Sequence, residues 1–309
     1  MKHHADVNVL DKYGSSPLDL AIKLEMPEII DLLNDDDVNY VEKVRCLDCC
    51  TDNQKLSILL DAVEYEDLEE TKEILQYKFN INKSKRNLMT PLHIAVQLDN
   101  FEITEELLKH KADVEVINDV KETPLIIATK MKNLKIVRKL LEYQANPDVF
   151  DDQMSPLQIA IENGCNEIAK ELVKNGADLN VVDDASRTPL YISVQEGNIE
   201  IARLLLDEGC NVNDTALHIA VDDGNYLMVS ELLERGANAN LKCFEYFEEM
   251  SPFQLAVTKN DPKFVRIFFD LEINVDFNLK NKERKTALEL AFQHGNVDAV
   301  KIITSQLRL

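Results

Sequence analysis

Glycine is scarce: the chain has eight in 309 residues. Loops that cradle phosphate lean on closely spaced glycines, so nucleotide and phosphate chemistry has almost nothing to be built from. Neither His-Glu-x-x-His nor Gly-x-Ser-x-Gly occurs, which removes two common signatures of hydrolases. The chain reads as a non-enzyme with no cofactor. Basic residues are few, 34 against 56 acidic, for a formal charge of -22. Such a surface repels a nucleic-acid backbone. The expected partner is therefore a protein with a basic segment, and the competing reading of the same charge is a merely solvated surface.

Long apolar runs are absent too. Stretches such as Ile58-Leu59-Leu60 are far too short to cross a bilayer, so no membrane insertion is expected. The opening residues Met1-Lys2-His3-His4 run into Ala5-Asp6-Val7-Asn8 without the apolar segment of a signal peptide. Cys46, Cys49, Cys50, Cys165, Cys210 and Cys243 are dispersed apart from one cluster, which is not a disulfide framework for a chain this long. A reducing setting follows, cytoplasmic or otherwise intracellular, and delivery into a host cell is compatible with it.

What the sequence has is a repeat. Thr90-Pro91-Leu92-His93-Ile94-Ala95 returns in variant form at Ser16, Ser57, Thr123, Ser155, Thr188, Thr215, Ser251 and Thr286, at intervals of 41, 33, 33, 32, 33, 27, 36 and 35 along the chain. In the Thr90 unit the hydroxyl suits a helix N-cap, Pro91 suits the first helical position, and Leu92 with the small residue Ala95, three places on, falls on one face. Ala21, Ala62, Ala95, Ala128, Ala160, Ser193, Ala220, Ala256 and Ala291 hold that small position, where neighbouring helices must approach closely. A turn follows, as at Glu196-Gly197-Asn198, then a second helical stripe such as Ile136, Val137, Leu140 and Leu141. Terminators such as Asn175-Gly176-Ala177-Asp178 close the unit.

A period near 33 opened by Thr-Pro-Leu-His-x-Ala resembles the ankyrin repeat, over essentially the whole chain, as about nine units. The resemblance implies an all-α repeat fold, a single solenoid over 1–309 of stacked helix-turn-helix units joined by β-hairpin fingers. It also implies that fingers and first helices line a concave, protein-binding groove. His survives in the signature only at His93 and His218, where it reads as a structural hydrogen-bonder. The opening residues look like the tail of a preceding repeat, so the sequence reads as a piece of a longer array or as one capped by a partial unit. Uncapped ends would permit end-to-end contacts between copies.

Irregular intervals mark irregular fingers. The interval of 41 enlarges a finger over 38–56 that carries Cys46-Leu47-Asp48-Cys49-Cys50. These could supply half a zinc site, but no second pair lies nearby, so no metal is expected. The interval of 36 enlarges a finger over 242–250 holding Phe244, Tyr246, Phe247, Glu248 and Glu249. Aromatics with acids suit an interface anchor, and the alternative is that a Phe tucks back on the stack. The interval of 27 lacks six finger residues before Thr215. Either the finger is deleted, leaving a notch, or the chain carries residues that this sequence does not show. The second reading is favoured, because two residues span only about 7 Å.

Placed on the groove that the resemblance implies, Asp151, Asp152, Glu162, Asp183, Asp184, Glu196, Asp222, Asp223, Glu248 and Glu249 form an acidic ladder. Lys83, Lys85 and Arg86 bound it on one side, and Lys280, Lys282, Arg284 and Lys285 on the other. Such blocks fix a partner's register as well as attract it. The expected function is a protein-binding scaffold for a basic or mixed-charge segment. The alternatives are an effector of a pathogen or symbiont that binds a host protein, suggested by decayed repeats rich in Lys, Asn and Ile, and the substrate-recruiting arm of a larger channel or enzyme.

Overall fold

The fold is seen in a computed structural model that describes residues 47, 50–84, 87–212, 215–243 and 247–307. The chain divides into two compact units, Met1–Asp113 and Val114–Leu309. In the first, α1 (Asp52–Glu64) pairs with α2 (Leu68–Leu75), and α3 (Pro91–Gln97) with α4 (Phe101–Lys109). The second holds six further helical hairpins: α5 (Pro124–Lys130) with α6 (Leu134–Glu142), α7 (Pro156–Glu162) with α8 (Asn166–Lys174), and α9 (Pro189–Gln195) with α10 (Ile199–Asp207). Then come α11 (Ala216–Asp222) with α12 (Tyr226–Glu234), α13 (Pro252–Thr258) with α14 (Pro262–Asp270), and α15 (Ala287–Gln293) with α16 (Val297–Gln306). Within that unit α5, α7, α9, α11, α13 and α15 pack side by side as an inner row, the even-numbered helices lying behind them. The repeat opened at Ser16 lies outside the described residues.

The repeated hydroxyl is the switch that starts each inner helix. Thr90, Thr123, Ser155, Thr188, Ser251 and Thr286 sit in extended backbone and accept a hydrogen bond from the N–H three residues on. At Thr90, Ser155, Ser251 and Thr286 the third helical side chain also reaches back to the cap N–H, completing a capping box. Inner helices of seven residues are too short to persist alone, so packing holds them. Leu92, Leu125, Leu157, Leu190, Leu217 and Phe253 are all at most 2% exposed. The small position is sealed completely: Ala95, Ala128, Ala160, Ser193, Ala220, Ala256 and Ala291 are 0% exposed. Ala160→Leu should therefore cost about 1–3 kcal/mol by overpacking, read as a lower urea midpoint at constant slope.

Scarce glycine has a structural counterpart. At six outer helices the residue after the cap takes a left-handed backbone, which Gly176, Gly209 and Gly236 supply at three of them. Lys111, Gln144 and Glu272 adopt the same positive φ without being glycine. The repeat tolerates that strain because its stability comes from neighbours rather than from local propensity.

Two expectations are corrected. First, the described residues contain no strand. Three fingers are hairpin-shaped turns closed by two backbone bonds each: Asn118 N–H to Glu122 (3.0 Å) and Lys121 N–H to Asn118 (3.1 Å), Asp183 N–H to Arg187 (3.2 Å) and Ser186 N–H to Asp183 (2.9 Å), and Asn281 N–H to Lys285 (3.0 Å) and Arg284 N–H to Asn281 (2.9 Å). They are too short for a ladder. Second, the enlarged finger over 38–56 ends earlier, because 52–56 already belong to α1. Thr51 and Gln54 form a capping box six residues ahead of Ser57, and with Ile58 in place of Pro nothing stops the helix extending upstream. Cys46 and Cys49 lie outside the described residues, and Cys50 is a half-buried free thiol.

In this sequence α11 packs between α9 and α13. Thr215 ahead of it has a ψ of 4°, which is not extended, and its side chain makes no cap bond. Asn213 and Asp214 lie outside the described residues.

Candidate protein-binding surface

Four of the fingers are each organised by one Asn or Asp. In the finger before α5, Asn118 Oδ1 accepts the N–H groups of Val120 and Glu122 (3.0 and 2.8 Å). Asp151 Oδ1 accepts those of Gln153 and Met154 (both 2.7 Å), and Asp183 Oδ1 those of Ala185 and Arg187 (2.9 and 2.8 Å). Asn281 does the same for Lys285 (2.9 Å). Asx side chains mimic a backbone turn in this way. Asp183 additionally binds Arg187 Nε through Oδ2 at 2.7 Å and is buried. It was assigned to the partner surface on sequence grounds, and the structure places it inside its own finger instead.

Several other acids of the ladder are engaged by a neighbouring repeat. Lys130 bridges Glu122 (2.7 Å) and Asp151 (2.8 Å). Burial alone would raise the Asp151 carboxyl's pKa, but Lys130 and the two finger N–H groups outweigh it and hold the value below the ordinary range. Asp152 pairs with Lys121 at 2.6 Å, which raises the lysine's pKa. Glu162 meets Arg187 at 3.4 Å, and Asp222 meets Lys259 at 2.5 Å. Glu249 lies 3.8 Å from Lys242. Among the described residues Asp184, Glu196, Asp223 and Glu248 have no ionic partner, and all four are exposed. Phe244 and Tyr246 lie outside the described residues.

Phe247 tucks back onto the stack. Its ring stacks on His218 at 5.5 Å with 12° between planes. His218 is fully buried, and its Nε2 bonds the Met250 carbonyl at 3.0 Å. Gln158 and Gln254 at the equivalent position make the same reach, to the Arg187 carbonyl (2.7 Å) and the Leu279 carbonyl (2.8 Å). The signature side chain thus ties α7, α11 and α13 to the finger that follows, and His and Gln serve equally because each presents an N–H at the right distance. His93 Nδ1 also accepts from its cap Thr90. His218 Nδ1 has no hydrogen-bond partner, because Thr215 has left the capping conformation. Burial holds His218 far below the usual histidine range, at about 4, against the opposing pull of the Met250 and Leu241 carbonyls.

Sequence reasoning missed a second ladder. The N–H groups of Asn146, Asp178 and Asn211 each donate to a side chain one repeat earlier, Glu115, Asp148 and Asn180, all at 2.7 Å. Asp276 and Asn240 repeat the contact at 2.8 Å. The signal was present as Asn-x-Asp, Asp-x-Asn and Asn-x-Asn after each terminator. Those residues read as turn formers, and their reach to the neighbour needs the stack to be visible.

The sequence profile described as Ankyrin repeats (3 copies) matches residues 39–118, 116–183, 157–243 and 217–307. The chain belongs to the ankyrin repeat family. Ankyrin repeats are generally protein–protein interaction modules, and the helical-repeat architecture described above is that of the family. No curated protein matches the chain significantly. No described helix of this ankyrin array is long and apolar enough to cross a membrane.

Proposed function

We propose that the unit Val114–Leu309 is a docking surface for a basic or mixed-charge segment of a partner protein, centred on Asp184, Glu196 and Asp223. The observation that supports this most is where acids stand on the inner helices. Glu162 and Asp222 are the last residues of α7 and α11, and Glu196 and Asp223 are the C-caps of α9 and α11. A helix C-terminus carries partial negative charge, so a carboxylate there is destabilising by about 0.3–1 kcal/mol. The flanking helices follow the favourable rule, with Lys130 ending α5 and Lys259 capping α13. Arg187 and Lys259 offset Glu162 and Asp222, but Glu196 and Asp223 have no ionic partner among the described residues, so α9 and α11 keep charges that oppose their own folding, as a surface retained for binding does.

The test is affinity capture with the full chain and its Glu196→Lys/Asp223→Lys variant in parallel, followed by titration of each captured protein at several salt concentrations. The variant should fold at least as stably as the parent, because a cation now faces each helix C-terminus. It should lose at least about tenfold in affinity for a basic partner, with a shallower salt dependence. Unchanged affinity would mean a merely solvated face. Asp183 is left out of the variant because it holds its own finger together.

A further inference from the structure

Large apolar side chains stand exposed at one register position in three consecutive fingers. Ile117, Phe150 and Val182 are 51%, 41% and 55% exposed. Each directly precedes the Asx residue that organises its finger, Asn118, Asp151 or Asp183. The Asx side chain turns into the finger, and its predecessor is left in solvent. Isolated surface hydrophobics are ordinary, but three in register across neighbouring repeats form a stripe. The stripe ends where the interval before Thr215 shortens to 27 residues.

Charge marks its two ends. Two residues beyond each apolar position lies an aspartate, Asp119, Asp152 or Asp184. The middle one is neutralised by Lys121 at 2.6 Å, whereas Asp119 and Asp184 are exposed and have no ionic partner among the described residues. The surface is thus apolar along three steps and negative at the first and third.

The spacing selects the occupant. Packed helices lie about 8–10 Å apart, and the fingers that precede α5, α7 and α9 advance with them. A polyproline II segment has three residues per turn and rises about 3.1 Å per residue, so every third side chain returns to one face after roughly 9 Å. An α-helix returns to one face after about 5.4 Å, and after about 10.5 Å at i, i+7, so one turn falls short of that spacing and two turns overshoot it. We infer that the finger stripe Ile117–Phe150–Val182 docks an extended, polyproline-like protein segment with apolar side chains at every third position and Lys or Arg beside the first and last. This rests on the reading that the unit binds a basic protein segment and assigns that segment's pattern.

The probe is a labelled peptide, Lys-Leu-Pro-Pro-Leu-Pro-Pro-Leu-Lys, titrated by fluorescence anisotropy against the full chain. The control is the same composition with its leucines adjacent, Lys-Pro-Pro-Leu-Leu-Leu-Pro-Pro-Lys. The spaced peptide should bind at least about tenfold more tightly than the control, and Ile117→Ser/Phe150→Ser/Val182→Ser should remove that advantage. These positions are exposed, so circular dichroism of the variant should match the parent.

Equal binding of the two peptides, or none at millimolar concentration, overturns the inference. So does a parent that sediments as a dimer and a serine variant that does not, since the stripe is then a contact between copies. A captured partner that is lost by Glu196→Lys/Asp223→Lys but kept by the serine variant leaves the acidic docking surface standing and removes the stripe. The opposite pattern removes the acidic surface and keeps the stripe.

Discussion

Asp183→Ala is expected to destabilise the unit Val114–Leu309 by about 3 kcal/mol, while Asp184→Ala, one residue along, stays within about 0.5 kcal/mol of the parent. Asp183 is buried and accepts two N–H groups of its own finger as well as the Arg187 guanidinium. Removing it strands the two backbone N–H groups and leaves Arg187 only its longer contact to Glu162, and stranding partly buried donors costs more than the bonds themselves are worth. Asp183→Asn separates the contributions. Asn118 and Asn281 organise their fingers as amides, so the asparagine variant should keep the two backbone bonds, lose only the charge partner, and fall by about 1 kcal/mol. Urea denaturation of the four proteins at neutral pH decides it. If Asp183→Ala were as stable as Asp184→Ala, Asp183 would return to the partner surface.

His218 is expected to make the same unit sensitive to mild acid. Its value of about 4 in the folded chain lies below the ordinary 6.5 that it regains on unfolding. The folded state thus prefers the neutral ring. That preference contributes fully above pH 6.5 and is lost as pH falls toward 4. About 2 kcal/mol should be gone by pH 5 and about 3 kcal/mol in all. His218→Gln should flatten the dependence between pH 6.5 and 5, where few carboxylates titrate. The substitution should fold, because Gln158 and Gln254 occupy the equivalent position and tie to the next finger in the same way. Unfolding free energies measured across that range test the pair, and parallel pH profiles would show that the buried ring is not the sensor.

Much of the fold was legible in advance. Thr90, Thr123, Ser155, Thr188, Ser251 and Thr286 start helices because a hydroxyl before Pro or Ala is local chemistry, settled within four residues. Ala160 and its equivalents are sealed because the period places them at the closest approach of two helices. The failures have the same physical origin in reverse. Thr51 displaced Ser57 as the start of α1 because a capping box upstream was stronger than a signature lacking its Pro. The finger strands did not form, because Asn118 and Asp183 side chains supply bonds that a ladder would have made.

The candidate surface was less legible, and adjacent aspartates show why. Asp183 and Asp184 are alike in composition, charge and spacing, yet one is buried in a turn and the other lies in solvent. Asp222 and Asp223 differ in a similar way, since only Asp222 meets Lys259 of the following repeat. The sequence by itself determined the repeat, its helix starts, its small buried positions and the excess of acid over base, all of which depend on local propensity and period. The tertiary structure alone decided which acids remain unpaired and which apolar finger residues share a register. Those outcomes depend on which side chain of one repeat comes within about 3 Å of a residue some thirty positions away, and only the stack sets that distance.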